Sequence, residues 1–156
     1  MNAVDIGGLN VNAAIYRSGK LDESSKITLV NGGIMLAQSS LNALKARSDG
    51  SIRGAIEKLS AESIEEYVIN GVHQNIPNSA EILKQVRLKF VRDIKRELDK
   101  KKFDLINNTY FCGGTSYVLR DEIAECFGER GILAADDYES MKFVNAEGFY
   151  KSIEEV

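Results

Sequence analysis

The sequence predicts a layered α/β domain built on a mixed sheet. Three observations carry that expectation. Apolar alternation at the N-terminus, interrupted by glycines, reads as a three-stranded meander. The run from Ile82 to Leu98 keeps helical spacing for about five turns. Beyond Leu105, short apolar runs alternate with helical ones, which implies parallel or mixed pairing.

The elements follow in order. Ala3 to Arg17 has apolar residues on both sides of Gly7-Gly8, and alternation resumes at Val11, Ala13 and Ile15, so two strands joined by a tight glycine turn are expected. After a loop from Ser18 to Glu23, Ser24 to Val30 supplies a third strand. Asn31-Gly32-Gly33 leads into a first helix, Ile34 to Arg47, broken by Asp49-Gly50. Ser63 to Asn70 is a short helical run, and Asp49 to Asn78 reads as a small helical insertion; with the long helix, 49–102 forms the expected inserted lobe. Pro77 with Asn78 or Ser79, and Glu81 in the first turn, marks the start of the long helix. A buried strand from Leu105 to Cys112 then stops at Gly113-Gly114. A helix from Ser116 to Phe127, a short strand from Gly131 to Ala134 and a closing helix from Phe143 to Ile153 complete one domain, 1–156.

Composition removes several function classes. With 156 residues and 44% hydrophobic content the chain buries one sizeable core without staples. A net charge of −3 argues against a protein that coats nucleic acid, which needs a basic field to displace counterions. Two cysteines without a C-x-x-C spacing, and one histidine, support neither a disulfide framework nor a zinc site. No apolar run approaches a membrane span and no signal peptide is visible, so a cytoplasmic setting is expected. His73 sits in a polar loop without catalytic partners. Cys112 and Cys126 read as small core residues. The run Lys95 to Lys102 reads as a solvated helix face whose cations complement the helix dipole.

Chemistry concentrates at two glycine pairs that stand where strands end. In Val4-Asp5-Ile6-Gly7-Gly8-Leu9-Asn10, backbone without Cβ atoms can approach an anion closely, and Asp5 places a carboxylate where it would reach a magnesium ion through water. Cys112-Gly113-Gly114-Thr115-Ser116 lies between a strand and a helix, where ligands gather in open α/β sheets. Taken singly, the first reads more readily as a hairpin with an exposed aspartate, and the second equally as a packing turn. Roughly a hundred residues apart, the two together are more informative than either.

V-D-I-G-G-L-N-V-N resembles the second phosphate loop of the actin, sugar-kinase and heat-shock chaperone ATPase superfamily, and F-C-G-G-T-S resembles its adenosine motif. Phe143 to Lys151, FVNAEGFYK, resembles the closing helix of bacterial actin-like proteins, and the order of motifs is most similar to the ParM and StbA group of plasmid-segregation actins. The resemblance implies a ribonuclease H-like actin-ATPase domain. It reaches only the second half of such an ATPase, because the first phosphate loop, the connecting helix and the residue that orients the attacking water have no counterpart. The chain is therefore expected to be an excised half that alone hydrolyses nothing measurable.

By the same resemblance Asp5 would sit near magnesium, Gly7, Gly8 and Asn10 at the phosphates, and Gly113, Gly114 and Thr115 at ribose and adenine. Asn10 stands where many relatives carry threonine. The long helix would place Glu81, Lys84 and Gln85 beside the nucleoside, although Glu81 and Lys84 equally suit a solvated face. The implied cofactors are ATP, or GTP, with magnesium. The implied partners are further copies of the full protein in a filament and an adaptor bound to plasmid DNA, with no direct DNA or membrane contact. The alternatives are a small-molecule kinase domain of the sugar type, and an interaction module that has lost its nucleotide.

Overall fold

The computed structural model describes residues 1–47 and 78–144. Strands β1 (Asn2–Ile6), β2 (Val11–Arg17) and β3 (Lys20–Leu29) form the expected meander, followed by α1 (Gly33–Arg47). Helix α2 (Ser79–Lys100) leads to β4 (Thr109–Cys112), α3 (Gly114–Val118), α4 (Arg120–Phe127) and β5 (Gly131–Leu133). The sheet order is β3-β2-β1-β4-β5, with β1 antiparallel to β2 and parallel to β4. This is the mixed sheet that the alternation of elements predicts.

Side chains of one sheet face, Val4, Ile6, Val11, Ala13, Ile15 and Phe111, are buried in a single cluster with Leu36 of α1, Val91, Ile94 and Leu98 of α2, and Leu119, Ile123 and Phe127. The long helix, expected within an inserted lobe at 49–102, thus contributes three side chains to the same core as the sheet. The remainder of that span that the sequence assigns to a lobe, including the helical run 63–70 and His73, lies outside the described residues.

Local chemistry moves several boundaries. The expected loop from Ser18 to Glu23 is a two-residue hairpin: Ser18 at φ 52° and Gly19 at φ 76° give the doubly left-handed turn whose twist matches paired strands, so β3 begins at Lys20. Pairing with β2 then shifts register between Ala13 and Ile15. There the Ser25 hydroxyl accepts the Ile15 N–H at 2.8 Å while donating to the Asp22 carbonyl at 2.6 Å. Charged residues interrupt the alternation at this irregularity, which is why the pattern alone starts the strand too late. Strand β4 is shorter than expected and buried on one side only, with Tyr110 exposed.

Helix α2 begins after Asn78, which adopts φ 59° and caps with its carbonyl, accepting from Ile82 N–H at 3.0 Å, not with its side chain. It ends in a Schellman arrangement: Phe103 N–H reaches Leu98 O at 3.0 Å and Lys102 N–H reaches Asp99 O at 2.8 Å, with Lys102 at φ 59°. Phe103 and Leu98 are both buried, so the cap is held by apolar packing where a glycine is more usual. The single helix expected from Ser116 to Phe127 is two, α3 and α4, joined at Leu119. The closing helix starts at 138 rather than at Phe143, and its course past 144 lies outside the described residues.

Phe111 of β4 is fully buried, with its ring edge-on to Phe127 at 4.9 Å. Phe111→Ala is expected to cost about 3–5 kcal/mol in urea unfolding. Tyr110→Ala, on the opposite side of the same strand, should cost about 1 kcal/mol or less; equal losses would contradict the assigned faces.

Candidate functional site

Parallel pairing places Asp5 opposite Cys112, so the carboxyl ends of β1 and β4 lie side by side. The segment after each strand carries one of the two glycine pairs. Gly113 follows β4 at φ 86°, and a Cβ there would overlap Asp5 Oδ1 and lie 2.6 Å from Ile6 O. No side chain fits: the second loop lies directly against the first, and the Asp5 carboxylate occupies the space between them.

Further contacts join the two loops. Thr115 Oγ1 donates to Gly7 O at 3.3 Å. Gly33 N–H donates to Gly7 O and Ile34 N–H to Gly8 O, each at 2.9 Å, so the first turn of α1 rests on carbonyls of the first loop. Gly33 faces Thr115, whose Oγ1 a Cβ would overlap. At Gly32 a Cβ would overlap the Leu9 carbonyl carbon and lie 2.6 Å from Asn10 N. The sequence reading treats Gly32-Gly33 only as a helix entry; its signal, a further glycine pair between a strand and a helix, was visible. Ser116 Oγ donates to Cys112 O at 2.6 Å and closes the turn that opens α3.

These loops border a cavity of about 310 Å³ lined by Asp5, Gly7, Gly8, Gly113, Gly114, Thr115, Tyr138 and Lys142. Six of these residues are sequence-predicted site residues, drawn from opposite ends of the chain. Tyr138 and Lys142 belong to the closing helix and lie in no motif, so the sequence offered no signal for them. Lys142 Nζ lies 4.5 Å from the Tyr138 ring centroid and 3.4 Å from Glu139 Oε1, and its stem passes Gly114. Asp137 anchors this turn, accepting from Ser140 Oγ at 2.6 Å and from Ser140 N–H at 2.9 Å. The Ser140 hydroxyl first, then its amide, hold the Asp137 carboxyl below its ordinary range.

Four predicted site residues, Asn10, Glu81, Lys84 and Gln85, do not line this cavity. Asn10 closes the first loop, its carbonyl accepting Gly7 N–H at 3.0 Å and its side-chain oxygen facing Asn12 Nδ2 at 3.3 Å. Glu81, Lys84 and Gln85 are exposed on α2, and Gln85 Nε2 donates to Glu81 Oε1 at 2.7 Å. Asp5 also borders a second cavity of about 350 Å³ over the sheet face, with Asn12, Tyr16, Thr28 and Cys112. That one lacks the glycine backbone that suits an anion, so the smaller cavity is the candidate site.

The donor set fits a nucleotide with a divalent cation. Gly114 and Thr115 lead α3, and first-turn amides have no partner within their helix. Among the described residues no group of three or more metal-ligating side chains gathers. Asp5 is the one carboxylate in the cavity lining, and magnesium characteristically combines one or two carboxylates with phosphates and water.

No protein-family model matches the chain, and no curated protein matches it. Solved structures do. A non-polymerisable quadruple mutant of pCBH ParM matches with a TM-score of 0.71 at 18% identity, over 99% of this chain and 46% of its own. The Alp12 filament structure matches with a TM-score of 0.63 at 22% identity, over 95% and 48%. Ta0583, an archaeal actin homolog in complex with ADP, matches with a TM-score of 0.63 at 16% identity, over 99% and 49%. The chain has a ParM-like actin-ATPase fold and spans about half the length of these structures.

Gly113→Ala should destabilise the chain by at least about 2 kcal/mol, because left-handed backbone and a collision with Asp5 add. Gly8→Ala, where a Cβ meets nothing within 4 Å, should change urea stability by about 0.5 kcal/mol or less. Similar effects at both positions would refute the loop contact. Because folding lowers the Asp137 pKa, its contribution is complete above the unfolded value of about 3.9 and fades as pH falls through the folded value. The protection factor of the Ser140 amide, with intrinsic exchange divided out, should therefore be constant from pH 7 to about 5 and fall only in stronger acid; a fall near pH 6 would contradict this cap.

Proposed function

We propose that the chain is the nucleotide-binding half of an actin-like ATPase. The observation that supports this best is the meeting of Asp5-x-Gly7-Gly8 and Gly113-Gly114-Thr115 around one cavity, on a fold shared with ParM, Alp12 and an ADP-binding archaeal actin homolog. Chains joined only by fold often differ in function, so the reading rests on the site as well as the architecture.

In this reading Gly7 and Gly8 border the phosphates, with backbone bare of Cβ atoms allowing close approach. Asp5 would hold magnesium, while Gly113, Gly114 and Thr115 would border ribose and base. Magnesium, when bound, supplies positive charge that offsets the phosphate charge. The chain's own contribution is to bind and orient: Thr115 locks the two loops together, and Lys142 brings a cation to the rim. Asn10, Glu81 and Lys84 act outside this cavity, in shaping the loop or on the helix face. The complete protein would polymerise with ATP in the cytoplasm and position plasmid DNA through an adaptor, without contacting DNA or membrane itself. Among the described residues, no helix is long and apolar enough to cross a membrane.

Titration of the isotopically labelled chain with millimolar Mg-ATP and Mg-GTP, read by amide chemical shifts, tests the proposal. Shifts should concentrate at Gly7, Gly8 and Gly113 to Thr115. Gly114→Val, whose side chain would press on Lys142, should weaken binding about tenfold or more. Absence of shifts at millimolar nucleotide, or shifts confined to the outer face of α2, would refute it in favour of an interaction module.

A further inference from the structure

Arg87 of α2 and Glu122 of α4 form the one ion pair, among the described residues, in which both side chains are largely withdrawn from water, at 15% and 3% exposure. Arg87 Nε donates to Glu122 Oε1 at 2.8 Å. The other oxygen, Oε2, is buried and has no hydrogen-bond partner among the described residues. Burying a carboxylate costs several kcal/mol, and one charged hydrogen bond offsets only part of that cost. An apolar pair of the same volume would stabilise the helices as well or better, so stability does not account for the arrangement.

A guanidinium and a carboxylate require one alignment, whereas the surrounding apolar side chains tolerate sliding. The pair therefore fixes α4 along α2. Its position is transmitted to the candidate site by a continuous set of hydrogen bonds. Ile123 N–H, beside Glu122, donates to Leu119 O at 2.8 Å, and Leu119 N–H donates to Thr115 O at 3.1 Å. Thr115 Oγ1 in turn donates to Gly7 O at 3.3 Å. The hydrogen bonding thus crosses the α3–α4 junction and ends on both loops of the cavity.

We propose that Arg87 and Glu122 are positioning residues that hold the Gly113 to Thr115 turn in its binding geometry. Their link to affinity rests on the nucleotide reading given above; their link to the turn does not. The test compares Arg87→Met/Glu122→Leu, an apolar replacement expected to keep the fold, with Phe103→Ala, which removes a buried side chain near the C-terminal end of α2. Glu122→Gln, which keeps shape and removes only charge, provides a milder version should the double variant fold poorly.

In the ligand-free chain, the double variant and Glu122→Gln should shift the Gly113 to Thr115 amide resonances and speed hydrogen exchange about tenfold at Ser116 and Leu119, whose N–H groups donate to Gly113 O and Thr115 O, while Phe103→Ala, though less stable, leaves the resonances in place. Mg-ADP affinity should fall about tenfold with the pair and stay within twofold for Phe103→Ala. Unmoved turn amides in both pair variants overturn the proposal. So do equal disturbances in Phe103→Ala, which would reduce the effect to lost stability. Failure of the unaltered chain to bind Mg-ADP overturns the nucleotide reading, and the ligand-free resonances still decide the positioning role.

Discussion

Parallel pairing of β1 with β4 is the constraint on which the rest depends. Asn2 aligns with Thr109 and Asp5 with Cys112, so segments separated by about a hundred residues become neighbours at the centre of the sheet. Parallel strands need a long crossover, and α1 and α2 lie within the one used here. Because both strands point the same way, both following loops emerge on one edge. A cavity at that edge is then a consequence of topology, as in other open α/β sheets.

The glycines determine how close the loops come. Gly113 excludes a side chain because Asp5 already fills that space, and Gly32 and Gly33 exclude one because the first loop and Thr115 press against them. Their role is close approach, and at Gly113 also a left-handed backbone. Gly7 and Gly8 differ, since neither has positive φ and no atom lies within 4 Å of a Cβ built at Gly8. Gly8 lines the cavity, and its backbone is left uncovered there.

Most of the architecture was legible because apolar periodicity survives wherever one face is buried. Val4, Ile6, Val11, Ala13 and Ile15 alternate, and Leu83, Val91, Ile94 and Leu98 recur at helical spacing; all are buried. What escaped was set by contacts that have no period. The register shift of β3 depends on the Ser25 hydroxyl, and the end of α2 on Phe103 folding back beside Leu98. In the candidate site, Asp5, Gly7, Gly8, Gly113, Gly114 and Thr115 stand out in the sequence as glycine pairs at strand ends, and the structure brings them to one cavity. Tyr138 and Lys142 do not stand out, since an ordinary helix turn becomes part of a cavity only through tertiary packing. Glu81 and Lys84, suggested only by the resemblance, lie exposed on α2 and outside the lining of this cavity.

Topology thus sets the two loops side by side, Thr115 fastens them around one cavity, and the proposed nucleotide site follows from that meeting. Crystallisation of the chain with magnesium and a non-hydrolysable ATP analogue tests that claim most directly. Phosphates beside Gly7, Gly8 and Asp5, with the sugar and base along Gly113 to Thr115, are the predicted result. A nucleotide seated in the sheet-face cavity by Tyr16 and Thr28, or contacting only one of the two loops, would contradict it.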